Sequence, residues 1–339
     1  MTGEETLIAQ LVDAFGGTGQ AEVGIGDDAA VLRPAGRTVV TTDLLVEGVD
    51  FTRAIPIEFV AAKSLAVNLS DLAAMGARAL SFVLSVGLPE DAVPSFGRFA
   101  KALAEAARRW GVSLVGGDLS RSRDLTISIT AFGELQDAGA ALLRNGARPG
   151  EGLFLSRPVG GAAAGLHLLE RGWSIARDGS VAPPADLPAA AGFAQTEFAG
   201  SALRRQVAPE PEVDLGPRLG AAGATSCIDV SDGLSTDLHR LCGAPGCGAR
   251  IEWTRIPRFP DIESLGFSLG VNAERAVLHG GEELALLFTA RRSESELSSA
   301  LRRPVYRIGR MTEDERVVLE KGDVEMELRA EGWDHFTRS

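Results

Sequence analysis

Five Asp-bearing segments set among glycines and small apolar residues constrain this chain most: Gly26-Asp27-Asp28, Thr41-Thr42-Asp43, Asn68-Leu69-Ser70-Asp71, Gly116-Gly117-Asp118 and Asp229-Val230-Ser231-Asp232-Gly233. They read as turns at the ends of apolar runs, where a fold can gather carboxylates from distant parts of the chain. Hard oxygen ligands of this kind suit Mg²⁺, and the set points to a multi-magnesium phosphate site. Asp and Gly are also common in plain turns and caps, so any one segment alone has an ordinary explanation. Five in one chain favour convergence, because surface turns also draw on Asn, Ser, Lys and Pro.

A length of 339 residues implies two domains. With 34 basic and 46 acidic residues the net charge is -12, which argues against broad electrostatic binding to nucleic acid or to an anionic membrane. An acidic protein that handles phosphate needs metal as a bridge. Residues 1–15 read as a short acidic amphipathic helix rather than a signal peptide, and no apolar run is long enough to span a bilayer, so a cytoplasmic location is expected. Cys227, Cys242 and Cys247 do not form a secreted disulfide framework, and His239, Cys242 and Cys247 lack an apparent fourth zinc ligand.

The pattern predicts an α/β (α+β) protein. Residues 38–46 and 124–134 read as strands, and the Ala-rich stretches 57–75 and 91–110 as helices. Within 57–75, Ser64, Asn68 and Asp71 recur at helical spacing as a stripe of short polar residues, suited to a confined site and marking Asp71 as a ligand. A connector follows near 137–150. Beyond it a strand at 153–156 leads into a helix at 162–170, with further strands expected at 225–230, 284–289, 305–308 and 324–328.

Gly24-Ile25-Gly26-Asp27-Asp28-Ala29 formally fits a dinucleotide fingerprint. Its acidic pair would face the pyrophosphate, however, and Pro34 and Gly36 follow instead of a helix. No Gly-Lys pair occurs, which excludes a Walker-type loop. Phosphate must be held by metal, arginine and backbone N–H groups, with Arg144 and Gly117 as candidates; Arg144 reads equally as a solvated loop cation. The four histidines lack a nucleophile elbow, so covalent catalysis is not indicated.

Taken in order, the five segments, extended by Leu72-Ala73-Ala74-Met75-Gly76-Ala77 after Asp71, by Gly280-Gly281-Glu282 and by Gly332-Trp333-Asp334-His335-Phe336, closely resemble the thiamine-monophosphate kinases. These belong to the superfamily of aminoimidazole-ribonucleotide synthetase. The resemblance spans nearly the whole chain. It implies a two-domain aminoimidazole-ribonucleotide synthetase-like fold, with an N-terminal ATP- and Mg-binding domain at 1–137 and a C-terminal α/β domain at 138–339. The N-terminal sheet is expected to pair across a homodimer. The implied reaction is direct transfer of a phosphoryl group from the co-substrate ATP to thiamine monophosphate, a phosphate group being the acceptor. Asp28, Thr41, Thr42, Asp43, Asp71, Asp118, Asp229 and Asp232 look like ligands of several Mg²⁺ ions. Trp110, Gly117, Asp118, Arg144 and Ser231 look like ATP contacts, and Asp50, Glu282 and Trp333 like contacts to thiamine monophosphate.

One departure stands out: the family commonly continues Gly-Gly-Glu as Asp-Tyr-Glu, and this chain has Glu283, Leu284 and Ala285. Drift in an apolar strand is the plain reading. A binding protein without turnover, or another synthetase of the superfamily, remains as an alternative. Trp333 likewise reads either as a stacking partner for the thiamine rings or as a tail residue docked on the C-terminal domain.

Overall fold

The computed structural model describes residues 3–16, 21–22, 29–135, 140–185 and 192–336. The Gly26–Asp28 segment and the 137/138 domain boundary expected above lie outside them. The first half runs α1 (Gly3–Phe15), β1 (Thr38–Val46), α2 (Ile57–Ala74), β2 (Arg78–Leu88), α3 (Phe96–Trp110), β3 (Ser113–Arg121) and β4 (Thr126–Glu134). Its strands form one sheet in the order β1-β4-β2-β3; β2 and β3 are parallel and the other pairs antiparallel.

The second half runs β5 (Gly152–Leu155), α4 (Gly161–Glu170), β6 (Ser174–Ile175), β7 (Val181–Ala182), α5 (Phe193–Val207), α6 (Gly216–Ala222), β8 (Ala224–Val230), α7 (Leu234–Gly243), β9 (Gly248–Glu252), α8 (Ala273–His279), β10 (Ala285–Ala290), α9 (Glu294–Leu301), β11 (Tyr306–Thr312), β12 (Val317–Lys321) and β13 (Val324–Glu327). Seven of these strands form a sheet in the order β13-β12-β9-β11-β5-β10-β8, and β6 with β7 forms a small ribbon. No helix among the described residues is long and apolar enough to cross a membrane.

Several expectations needed correction. Gly116–Asp118 and Thr41–Asp43 lie inside strands β3 and β1, and Asn68–Asp71 lies inside α2, so three of the five segments are not turns. β2, β3, β6, β7, β9 and β12 were not anticipated: Gly and Ser interrupt β2 and β3, Arg250 interrupts β9, the apolar run of β12 is only three residues before Glu320, and β6 and β7 are two residues each. The helix expected from residue 91 begins only at Phe96, after a 3₁₀ segment containing Pro94. Proline cannot donate its missing N–H to a continuous α-helix.

Helix α2 is buried on nearly every side, including its polar Lys63, Ser64, Asn68 and Ser70. A helix without a solvated stripe must be packed all round. It touches β1, β2 and β4 of the first sheet, and β8 and β10 of the second. The approach is closest where Gly216, at the start of α6, meets α2: a Cβ there would stand 2.2 Å from the Ala73 carbonyl oxygen and 2.5 Å from its Cα. Gly216→Ala is therefore expected to destabilise the protein by about 1–3 kcal/mol through backbone overlap, seen as a lower urea midpoint. Ala at Gly220, whose added Cβ meets nothing within 4 Å, is the control.

Candidate active site

Strand alternation aims Thr41 and Asp43 at the same face of β1, toward α2. The Thr41 hydroxyl donates to Asp71 Oδ2 at 2.5 Å, and the next side chain along α2, Ser70, donates to Asp229 Oδ2 at 2.6 Å. Asp229 lies on β8 of the second sheet, so adjacent residues of one helix engage a hydroxyl of the first half and a carboxylate of the second. Asp232 follows in the loop before α7. That loop is tied down by Asp237, whose Oδ2 accepts the N–H groups of Ser231, Asp232 and Gly233 at 3.0, 3.0 and 3.2 Å. Arg240 bridges Asp237 Oδ1 at 2.8 Å and Asp232 Oδ2 at 2.5 Å.

The carboxylates crowd one another. Burial, followed by the charges of Asp71, Asp50 and Asp232, raises the Asp43 pKa from its ordinary 3.8 to about 7. Burial and the nearby Asp71 raise that of Asp229 to about 8, against the opposing hydrogen bond from Ser70. Burial also raises that of Asp71, opposed by the Thr41 hydrogen bond and the positive charge of Arg144. Arg144 thus belongs to the site's electrostatics from its 3₁₀ turn, Arg144–Gly146.

Other expected residues divide. Asp50 lies near enough to act on Asp43, but one of its oxygens accepts the Val46 N–H at 2.7 Å and closes the turn after β1. Ser231 sits in the clamped loop and its carbonyl accepts from the Glu282 N–H at 2.7 Å. Glu282 carries a left-handed φ of 62°. Its carboxylate lies 2.5 Å from the buried Lys63 ammonium and also accepts from Gln206. The Trp333 backbone N–H donates to the Asp232 carbonyl at 2.9 Å, while the residue remains 50% exposed with its indole edge-on to His335, so the tail docks on the Asp232 loop through its main chain. Trp110 packs against the first-half core at the end of α3, beside Arg109, which pairs with Glu210 of the second half at 2.7 Å.

Two expected ligands stand apart from this cluster within a single chain. The Thr42 side chain points to the opposite face of β1, where its hydroxyl donates to the Ile129 carbonyl and accepts from Thr130. The cause is the period-two alternation of a strand. Asp118 lies in register with Ser85, Ser128 and Leu44, on that same outer face and at the opposite edge of the sheet. Three strand spacings separate the two edges, roughly 14 Å. Gly117 is needed there for packing, since a Cβ would stand 2.0 Å from the Leu84 carbonyl oxygen. Asp28 lies outside the described residues.

Sequence reasoning missed Lys63, Asp237 and Arg240. Lys63 carried a signal, the one basic residue of a helix rich in Ala, Val and Leu; Asp237 is a first-turn acid placed to accept backbone N–H groups. The departure at 283–285 also has a structural role. Buried Glu283 accepts the N–H groups of Gly160 and Ala162, both at 2.8 Å, at the start of α4. Leu284 has φ 48°, and the strand expected from residue 284 begins only at Ala285, with every residue buried.

Among the described residues no group of three or more His, Cys, Asp or Glu stands ready to hold a metal ion. The chemistry of the donors nevertheless fits a hard divalent cation: oxygen ligands, partly buried, whose mutual repulsion a cation relieves. Because Asp43 and Asp229 bind protons more tightly folded than unfolded, their contribution to stability is present at low pH and lost as pH rises from about 4 toward 8. In EDTA, thermal stability should fall across that window, more gently for Asp43→Asn than for wild type. Added Mg²⁺ should raise Tm more at pH 8 than at pH 5.5. Differential scanning calorimetry at the two pH values checks both.

Comparison with known proteins agrees with this architecture. Residues 26–135 match the AIR synthase related protein, N-terminal domain, and residues 189–322 match its C-terminal domain. Thiamine-monophosphate kinase of Escherichia coli (strain K12) is 34% identical, over 98% of each chain. The crystal structure of thiamine-monophosphate kinase from Stenotrophomonas maltophilia K279a superposes with a TM-score of 0.76 at 32% identity, covering 93% of this chain and 95% of that one. AaThiL complexed with AMPPCP and TMP superposes with a TM-score of 0.73 at 27% identity, covering 98% and 97%. With a relative this similar along its whole length, and the two-domain α/β fold shared with it, the chain belongs to the thiamine-monophosphate kinase family.

Proposed function

We propose that this enzyme transfers the γ-phosphoryl group of ATP directly to thiamine monophosphate, releasing ADP and thiamine diphosphate. The observation that carries this reading is the meeting of Asp43, Asp71, Asp229 and Asp232, drawn from both halves, in a chain that superposes on a complex with AMPPCP and TMP. AMPPCP is an ATP analogue. Asp28, Thr41, Asp43, Asp71, Asp229 and Asp232 would hold Mg²⁺. When bound, the ions would offset the charge of the two phosphate groups. Arg144, Ser231 and Trp110 face ATP, and Asp50, Glu282 and Trp333 face the acceptor. The acceptor is itself a phosphate monoester with a second pKa near ~6, so its attacking oxygen is already deprotonated near neutral pH. No general base is needed, which accounts for a site built from carboxylates without a catalytic His.

We divide the chain at 137/138, consistent with the two family matches. A cytoplasmic setting supplies ATP and keeps the three cysteines, which are free, reduced. A homodimer explains the outlying residues. Val40 and Leu44, each 56% exposed, lie on the outer face of the first sheet with Thr42 and Asp118, and β1 and β3 are its two open edges. Pairing two such sheets, β3 of one copy beside β1 of the other, brings Asp118 of one subunit beside Thr42 of its partner, next along the strand to Asp43.

Coupled detection of ADP with thiamine monophosphate as acceptor tests the reaction. Asp43→Asn and Asp229→Asn should each lower turnover by about 100-fold or more while the protein remains folded. Binding of both ligands without turnover in the Mg²⁺-replete wild type would establish a binding protein instead.

Mixing tests the shared site. Asp43→Asn and Asp118→Asn, each inactive alone, should recover about one quarter of wild-type activity after unfolding and refolding together, because half the dimers are mixed and each mixed dimer has one intact site. Absence of recovery would place Asp118 and Asp43 in one subunit's site or in none.

A further inference from the structure

We infer that Lys63 and Gln206 are positioning residues that aim Glu282 at the acceptor; the inference rests on the reading of Glu282 as a thiamine-monophosphate contact. Glu282 projects from a turn held on several sides. The Glu282 N–H donates to the Ser231 carbonyl at 2.7 Å and the Leu284 N–H to that of Val230 at 3.0 Å. Arg157 donates to the Leu284 carbonyl at 2.7 Å, and Glu283 is fixed on the α4 amides. Two non-glycine residues with left-handed φ, Glu282 and Leu284, persist here because their surroundings over-determine them.

This clamped backbone leaves the Glu282 side chain to be placed by its own partners, which come from opposite halves. The ammonium of Lys63 on α2 stands 2.5 Å from Oε1, and the Gln206 amide on α5 donates to Oε2. Lys63 is 2% exposed and the Glu282 side chain 32%, so the cation lies behind a carboxylate that still presents a face outward. Lys63 has no other ion-pair partner among the described residues. A buried pair of this kind is a weak source of stability but can fix one arrangement over others.

The placement has a geometric consequence. Lys63 and Asp71 share one rigid helix eight residues apart, a rise of roughly 12 Å. The carboxylate that receives the ring end of the acceptor and the carboxylates that receive its phosphate end are thus spaced by the same rod. That spacing is on the scale of a two-ring phosphate ester. Lys63 acts through Glu282 and does not itself meet the substrate.

Steady-state kinetics of Lys63→Met, Gln206→Leu, Glu282→Gln and the Lys63→Met/Glu282→Gln double variant test this. Lys63→Met and Gln206→Leu should each raise KM for thiamine monophosphate on the order of 10-fold, with KM for ATP changed by less than about twofold. Lys63→Met should add nothing once Glu282 is Gln, and Lys63→Arg should restore much of the loss. Unchanged KM for thiamine monophosphate, equal rises for both substrates, or additive effects in the double variant would overturn the inference. If Lys63→Met does not fold, Gln206→Leu decides by the same KM comparison at unchanged Tm. Calorimetric titration with thiamine monophosphate keeps the questions separate: a wild type that binds but does not turn over counts against the kinase, while weaker binding by Gln206→Leu still supports positioning.

Discussion

Helix α2 carries buried polar side chains between the two sheets, and the partners of those side chains hold the two halves together. Burying Lys63 and Ser70, and partly burying Asp71, on one helix is costly unless each finds a complementary group. Those groups are Glu282, Asp229 and Thr41, two from the second half and one from the first. The packing of the halves and the assembly of the site are therefore the same event. A displacement of α2 would leave a buried cation unpaired and separate Asp71 from Asp229.

The cluster so formed is electrostatically unfavourable by itself. Burial and like charge both oppose ionisation of Asp43 and Asp229. The Ser70 hydroxyl relieves part of that opposition at Asp229, and the Thr41 hydroxyl and the positive charge of Arg144 do so at the partly buried Asp71. Asp237 and Arg240 show the other solution. There a carboxylate is satisfied by three backbone N–H groups and a guanidinium, and its task is to hold the Asp232 loop in shape. The tail adds a second restraint on that loop through the Gly332 N–H to Thr236 and the Trp333 N–H to the Asp232 carbonyl.

The Gly280–Ala285 segment shows how a local departure can be absorbed. Glu283 keeps a carboxylate at the amides of Gly160 and Ala162, and Leu284 enters the core at 1% exposure. The position that carries Glu282 depends on main-chain hydrogen bonds to Val230 and Ser231 rather than on the identity of the Leu284 side chain.

Residue identity alone was enough to gather the Asp-bearing segments, to exclude a Lys-based phosphate loop and to mark 38–46 and 57–75 as strand and helix. Oxygen ligands, glycines and apolar periodicity are local properties. The faces of the elements were less legible. Thr41-Thr42-Asp43 reads as one ligand group, yet a strand turns the middle side chain away from the other two. Gly116-Gly117-Asp118 reads as a turn, yet it is a strand whose glycine accommodates the Leu84 carbonyl. Lys63 has no partner legible in the sequence, because Glu282 lies 219 positions later in the numbering and only the fold brings it near. Sequence specified which chemical groups were available. Tertiary structure decided which of them meet, because strand register, helix packing and the crossing of the two halves set distances between residues that no local pattern records.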